Sequence, residues 1–329
     1  MGSLRHWSAD AQVALLFVVL FGLLALGTAV AALWSMRERE PDLRADDRHQ
    51  RFKRDLRAVW VGALVFWSAW ISGAVGATLL FGLISFLALR EVITLVATRR
   101  SDHRSLIAAF FVVLPLQYLL VGSRSFDLFT VFIPVYVFLA IPVVSALAGD
   151  PQRFLERNAK IQWSIMVCIY GLSHAPALLL LDFPGIANGS GRGAFLLFFL
   201  VVVTATGQLT QEAASRRLRS RPLARQISRS FSARAWALGM AGGGLVGAAL
   251  YWITPFKPGQ ALVAALIAAG TGTLGELVMR ALKKDAGVQW WGNQSSVTGA
   301  VGLLDRVAPL CFAAPVFFHS LRWYFQLRG

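Results

Sequence analysis

The chain has 329 residues, a mean hydropathy of +0.59, 56% hydrophobic residues and only 15% charged ones. A soluble domain carries about 25% charged residues, so the composition excludes an ordinary soluble enzyme and predicts an all-α, polytopic integral membrane protein. The net charge of +15 sits in short segments between apolar runs, a pattern that fits anionic headgroups and the positive-inside rule rather than nucleic acid.

The first apolar run extends from about Ala11 to Trp34. It is too long for a signal-peptide core and shows no small-residue cleavage site, so it reads as a retained helix. The mixed-charge segment 36–58 that follows reads as a solvated or membrane-surface helix. Residues 1–58 therefore form a first helix with its basic connection, and 59–329 a membrane domain.

About ten spans are expected in all, at roughly 11–35, 59–74, 76–97, 105–122, 126–149, 162–181, 193–211, 236–254, 258–279 and 301–324. Segments 36–58, 98–104, 150–161, 212–235 and 280–299 are basic. Those near 75, 123–125, 182–192 and 255–257 are short or nearly neutral. The alternation puts the basic side in the cytoplasm and the N-terminus outside. No internal repeat and no soluble domain is visible, so function must use the helices and the cytoplasmic connections.

Cys168 and Cys311 lie in apolar runs and give neither a disulfide framework nor a metal pattern. Gly242, Gly243, Gly244 and Gly247 have the spacing that lets helices approach closely. GTGTLG at 270–275 matches G-x-G-x-x-G formally, but it lacks the strand and βαβ unit that a dinucleotide site needs.

Ionisable residues inside or at the edge of a span are candidates for function. Glu276 stands near the inner end of the ninth span, and Asp305 with Arg306 near that of the tenth. Arg280, Lys283, Lys284 and Asp285 lie on the connection between them. Two carboxylates facing each other would suit Mg²⁺ beside bound phosphates, with the cations gripping phosphate oxygens. Plain interhelical ion pairing is the structural alternative. Arg90 and Glu91 read as a local ion pair. His174, beside Pro176, reads as a partner for a freed backbone carbonyl. His319 and Trp290-Trp291 read as interfacial anchors. The segment 216–234 holds seven arginines and no acid; it suits either headgroups or a polyphosphate.

The stretch GELVMRALKKDAGVQWWGNQSSVTGAVGLLDRVAPL, residues 275–310, resembles the C-terminal signature of the phosphatidate cytidylyltransferases, or CDP-diacylglycerol synthases. That signature runs K-R, K-D-x-G, then G-H-G-G-x-x-D-R-x-D. Lys283-Lys284, Gly299, Gly302 and Asp305-Arg306 fall in register with it. LRSRPLARQISRSFS, residues 218–232, resembles the arm before the family's S-P-x-K-T motif. SFLALRE, FFVVLPLQYLLVG and FLERNAKIQW resemble the bacterial branch. The resemblance implies a reaction joining CTP and phosphatidate into CDP-diacylglycerol and pyrophosphate. It implies Mg²⁺ at Asp305 and Glu276. It also implies catalytic roles for Asp305, Arg306, Lys283 and Lys284, and substrate contacts from Arg225, Ser228, Arg229, Gly299 and Gly302.

The departures from the signature are numerous. Its K-D pair is Gln289-Trp290, its G-H-G-G is Gly299-Ala300-Val301-Gly302, and its last aspartate is Ala308. The Pro, Lys and Thr of S-P-x-K-T are Arg229, Phe231 and Ser232, and an expected acid near the end of the seventh span is Gln208. Each lost phosphate- or metal-binding group lowers rate on the order of 10²–10³-fold. The expectation is therefore a family member of phospholipid biosynthesis with weak or lost turnover. The alternatives are a non-catalytic relative that binds anionic lipid or serves as a partner subunit, as a homodimer or beside an intact paralogue, and, ranked lower, a transporter.

Overall fold

The computed structural model describes residues 71–95, 98–183, 193–218, 220–287 and 302–327, with scattered helical positions between 15 and 33 and between 60 and 68. Among these residues every regular element is helical. The chain divides into two compact units, Met1–Gly73 and Ala74–Gly329. Within the first, the Trp60 indole donates to the Thr28 hydroxyl at 3.1 Å and meets the Phe21 ring edge-on.

The second unit is built from α1 (Gly73–Leu95), α2 (Arg100–Gly122), α3 (Phe126–Ala146), α4 (154–179), α5 (Gly193–Arg217), α6 (Ala233–Ala249), α7 (Pro258–Asp285) and α8 (Leu303–Phe325). Five described helices are long and apolar enough to cross a membrane: Gly73–Thr94, α2, α3, Phe195–Arg217 and α7. The protein is a polytopic membrane protein. The expected spans 11–35 and 59–74 fall largely outside the described residues. Outward-facing Phe111, Leu119 and Leu139 are exposed, as side chains bathed in acyl chains can be.

Helices α2, α3 and α4 each carry a π turn, at Ala109–Val113, Phe132–Val137 and Met166–Gly171. A proline lies within or just beyond each, at positions 115, 134 and 176. Proline has no N–H to donate and crowds the carbonyl four residues back, and a wider turn accommodates both. His174 does bond a backbone carbonyl, with Nδ1 2.6 Å from Tyr170 O. This is not the Leu172 carbonyl, four residues before Pro176, that the proline leaves without its usual donor.

The centre is α5, α6 and α7, held close by small residues. A Cβ at Gly243 would lie 2.6 Å from the Ala269 Cβ, and one at Gly247 would lie 2.2 Å from the Ala265 Cβ. The glycine run is thus a packing surface, as its spacing predicts. GTGTLG lies within α7, with no strand before it. Helix α8 runs antiparallel to α7: Lys283 meets Asp305 at one end, and Gln260 Nε2 donates to the Tyr324 hydroxyl at 2.8 Å near the other. Phe199, Phe256, Phe317 and Phe318 fill the core between these helices and α4. Cys168 and Cys311 are free and buried.

Two boundaries move in ways that matter for the site. Helix α4 starts at Phe154 rather than near 162, because Arg157 and Asn158 turn inward and extend the helix below the apolar run. Helix α7 continues to Asp285, so Arg280, Lys283 and Lys284 stand on its last turns rather than on a connection beginning at 280.

Candidate functional site

Extending α7 to Asp285 sets the geometry. Glu276, Arg280, Lys283 and Lys284 recur at spacings of three and four, which places them along one face of the helix. Arg280 is the hub. Its Nε donates to Glu276 Oε1 at 3.0 Å, its Nη2 pairs with the same oxygen, and Nη2 lies 3.7 Å from Glu212 Oε1 of α5. Its Nη1 donates to the hydroxyls of Ser228 at 3.0 Å and Ser230 at 3.1 Å. Gln208 of α5 donates its amide to Glu276 Oε2 at 3.0 Å.

The two serines belong to the arginine-rich arm between α5 and α6. The arm folds back on itself: Leu223 N–H donates to Phe231 O at 2.9 Å, and Phe231 and Ser228 are buried. Ser232 closes the arm by capping α6, accepting Ala235 N–H at 3.3 Å. Lys284 donates to the Gln226 carbonyl and fastens the arm to α7. Arg225 and Arg229 are exposed on its outer side.

The second half of the site is the start of α8. Gly302 precedes it with φ of +72°, a left-handed conformation that suits glycine. The Glu91 carboxylate of α1 accepts Leu303 N–H at 2.9 Å and Leu304 N–H at 3.4 Å. Asp305 lies in the first turn of α8, where the helix dipole favours an anion, and pairs with Lys283. Arg306 faces outward and is exposed.

A cytidylyltransferase family profile matches residues 52–324. The uncharacterised protein YnbB of Escherichia coli strain K12 is 33% identical over 311 residues, covering 92% of this chain and 96% of YnbB. The chain belongs to the cytidylyltransferase family.

The cytidylyltransferase reading singles out residues that fall into three groups. Glu276 and Ser228 bond Arg280, Lys284 bonds the arm at Gln226, and Lys283 pairs with Asp305. Arg225, Arg229 and Arg306 surround these bonds without entering them, and Gly302 sets the α8 start. Gly299 and the replaced positions 289, 290, 300 and 301 lie outside the described residues. Glu212 and Ser230 were not anticipated, and Glu91, read from the sequence as half of a local ion pair, instead accepts the first N–H groups of α8. Glu91 carried a signal, as a carboxylate about two turns inside a span. Gln208, read from the sequence only as a lost acid, is a direct partner of Glu276.

Whether these residues fit Mg²⁺ is decided by the state of the carboxylates. Mg²⁺ takes near-octahedral oxygen ligands, usually one or two carboxylates with waters and substrate phosphates. A carboxylate offers about four lone-pair directions. On Glu276 three are already taken, two by Arg280 and one by Gln208. Asp305 is neutralised by Lys283. At about 4 Å and an effective dielectric of about 20, a divalent ion beside one such cation is repelled by about 8 kcal/mol. The arrangement does not fit the ion.

Proposed function

We propose that the protein is a phosphatidate cytidylyltransferase-type enzyme of the bacterial inner membrane. Its site lies on the cytoplasmic side, at the end of the bundle where α7, α8 and the arm converge. The observation that supports this reading most is the joining of Glu276, Arg280 and Ser228 to Lys283 and Asp305 by one face of α7. These are the acid, basic and hydroxyl side chains that phosphate chemistry uses, brought from separate parts of the sequence.

In this reading a phosphate oxygen of phosphatidate attacks the α-phosphorus of CTP. The bond from that phosphorus to the bridging oxygen of the β-phosphate breaks, the electron pair leaves with pyrophosphate, and CDP-diacylglycerol remains. No covalent bond to the protein forms. Lys283, Lys284 and Arg280 offset charge on the phosphate oxygens. The exposed Arg225, Arg229 and Arg306 draw anions to the site from the membrane surface and from solution. Glu276 and Asp305 hold the cations in place.

A second reading is a non-catalytic relative that binds anionic lipid as a partner subunit, in a homodimer or beside an intact paralogue. The neutralised carboxylates favour it, because both expected metal ligands are engaged by protein cations. One assay separates the two. Protein purified in detergent is given CTP and phosphatidate, with and without Mg²⁺. Pyrophosphate release that disappears in Asp305→Ala establishes the enzyme. No release, with phosphatidate still retained, overturns the catalytic reading in favour of the second.

A further inference from the structure

We infer that Arg280 and Lys283 are resident cations that replace a divalent ion, so that this site takes a phosphate-bearing anion without metal. The inference deepens the proposed site and rests on it for the class of ligand. The replacement itself rests only on this chain's bonding.

Arg280 is built in rather than loosely paired. Its guanidinium reaches Glu276 through two nitrogens and both arm serines through a third. It also lies 3.7 Å from Glu212. A planar fork pinned at this many points cannot swing aside as a lysine can. Its side chain is 26% exposed and that of Glu276 is 21% exposed, so solvent screens the pair only in part. Gln208 presents an amide N–H, a donor, to the second oxygen of Glu276. A donor on that oxygen suits a carboxylate bonded within the protein and blocks the direction from which a cation would be approached. Lys283 and Asp305, 16% and 27% exposed, form a second ion pair, between α7 and α8.

Arg280, Lys283, Lys284 and Arg216, the last bonded to Glu212, stand against Glu276, Glu212 and Asp305, which leaves one positive charge in surplus. Further positive charge is on the arm around them. A phosphate arriving here meets arginine and lysine donors directly, and among the described residues of the site no bare carboxylate pair is left that a divalent ion must bridge before the anion can approach.

Mn²⁺ is the probe, followed by its electron paramagnetic resonance signal with the full chain in detergent. The wild type is expected to show no saturable binding in the micromolar range. Arg280→Gln frees Glu276 and is expected to bind Mn²⁺ roughly tenfold or more tighter than the wild type. The gain should vanish when Glu276→Gln is added, and Arg280→Lys should stay close to the wild type. Lys283→Gln gives an independent test at Asp305, with Asp305→Asn as its reversal, should Arg280→Gln fail to fold by gel filtration. Saturable Mn²⁺ binding by the wild type that Glu276→Gln removes overturns the inference. So does the absence of any gain in folded Arg280→Gln and Lys283→Gln. Retention of radiolabelled CTP on a filter, equal with EDTA and with Mg²⁺, supports it further, and retention that requires Mg²⁺ overturns it. CTP retained under neither condition counts against the proposed function, and the Mn²⁺ result then decides the inference alone.

Discussion

Glu91 on α1 accepts the backbone N–H of Leu303 at 2.9 Å, tying together positions 212 residues apart in the chain. The first N–H groups of a helix have no partner within it, and the helix dipole makes that end positive. A carboxylate that is 2% exposed answers both needs for α8. It also fixes where Asp305 sits, one residue beyond Leu304. Glu91→Ala leaves buried donors unmet and should cost about 1–3 kcal/mol. Glu91→Gln keeps an acceptor while losing the charge, and should cost less. Thermal unfolding in a fixed detergent orders the three proteins as wild type, Gln, Ala. Equal midpoints for all three would remove Glu91 from this role.

The approach of α6 to α7 gives a test of packing. A Cβ on Gly247 would lie 2.2 Å from the Ala265 Cβ and 3.1 Å from the Phe199 ring. Gly247→Ala should therefore force the helices apart, at about 1–3 kcal/mol. Ala265→Gly, introduced into the same protein, removes the atom in conflict and should restore part of the loss. If Gly247→Ala alone leaves unfolding unchanged, the helices are not in this contact.

The membrane class, the packing role of the glycine run and most helix positions were legible because they follow from composition and short-range spacing. Glu276, Lys283 and Asp305 were legible as candidates because charge near a span is expensive to keep there. Their partners were not. Arg280 looked like one of several cations on a connection, since nothing local marks the end of α7 before Asp285. The bonds from Arg280 to Ser228 and Ser230, 52 and 50 residues away, depend on how the arm folds under α7. Glu91 depends on a contact between the first and last helices of its unit. Such pairings are set by tertiary geometry, and one sequence records only that the residues can ionise.

At the junction of α2, α3 and α4, Arg157 holds two carboxylates. Its Nη1 lies 2.6 Å from Asp150 Oδ2, and its Nε lies 3.4 Å from Asp102 Oδ1. The side chains of Arg157 and Asp102 are 5% and 2% exposed. Arg157→Met strands the buried Asp102 charge and should cost about 3–5 kcal/mol. Adding Asp102→Asn to Arg157→Met should recover part of it. Chemical denaturation in detergent reads both, and an unchanged midpoint in Arg157→Met would sink the assignment.

Asp150 adds a pH dependence to the same junction. The Gln152 backbone N–H, then the Ser101 hydroxyl and Arg157, hold its carboxyl down from 3.8 to about 2. A carboxyl with a lowered folded value contributes stability that is fully present above its unfolded value and is lost as pH falls through the folded one. The stability difference between wild type and Asp150→Asn should thus be constant near neutral pH and shrink progressively as pH falls from 3.8 through about 2. A difference that persists unchanged to the lowest of these values contradicts the assignment.

The arm offers the most direct view of the α7 network. Lys284 holds the Gln226 carbonyl, and Arg280 holds the hydroxyls of Ser228 and Ser230. Arg225 and Arg229 are exposed on the same segment, so trypsin can reach them once the backbone opens locally. Lys284→Ala and Arg280→Gln each remove an anchor, and both should speed cleavage after Arg225 and Arg229. Lys283→Met breaks only the link to Asp305 and should leave the arm's cleavage rate near that of the wild type. Mass spectrometry of brief digests distinguishes the sites. Equal acceleration by all three variants would mean that the network opens as a whole, with no separate anchoring of the arm. If only the two anchor variants respond, the serine-bearing arm and the Asp305 end of the site are held by independent contacts from one helix face.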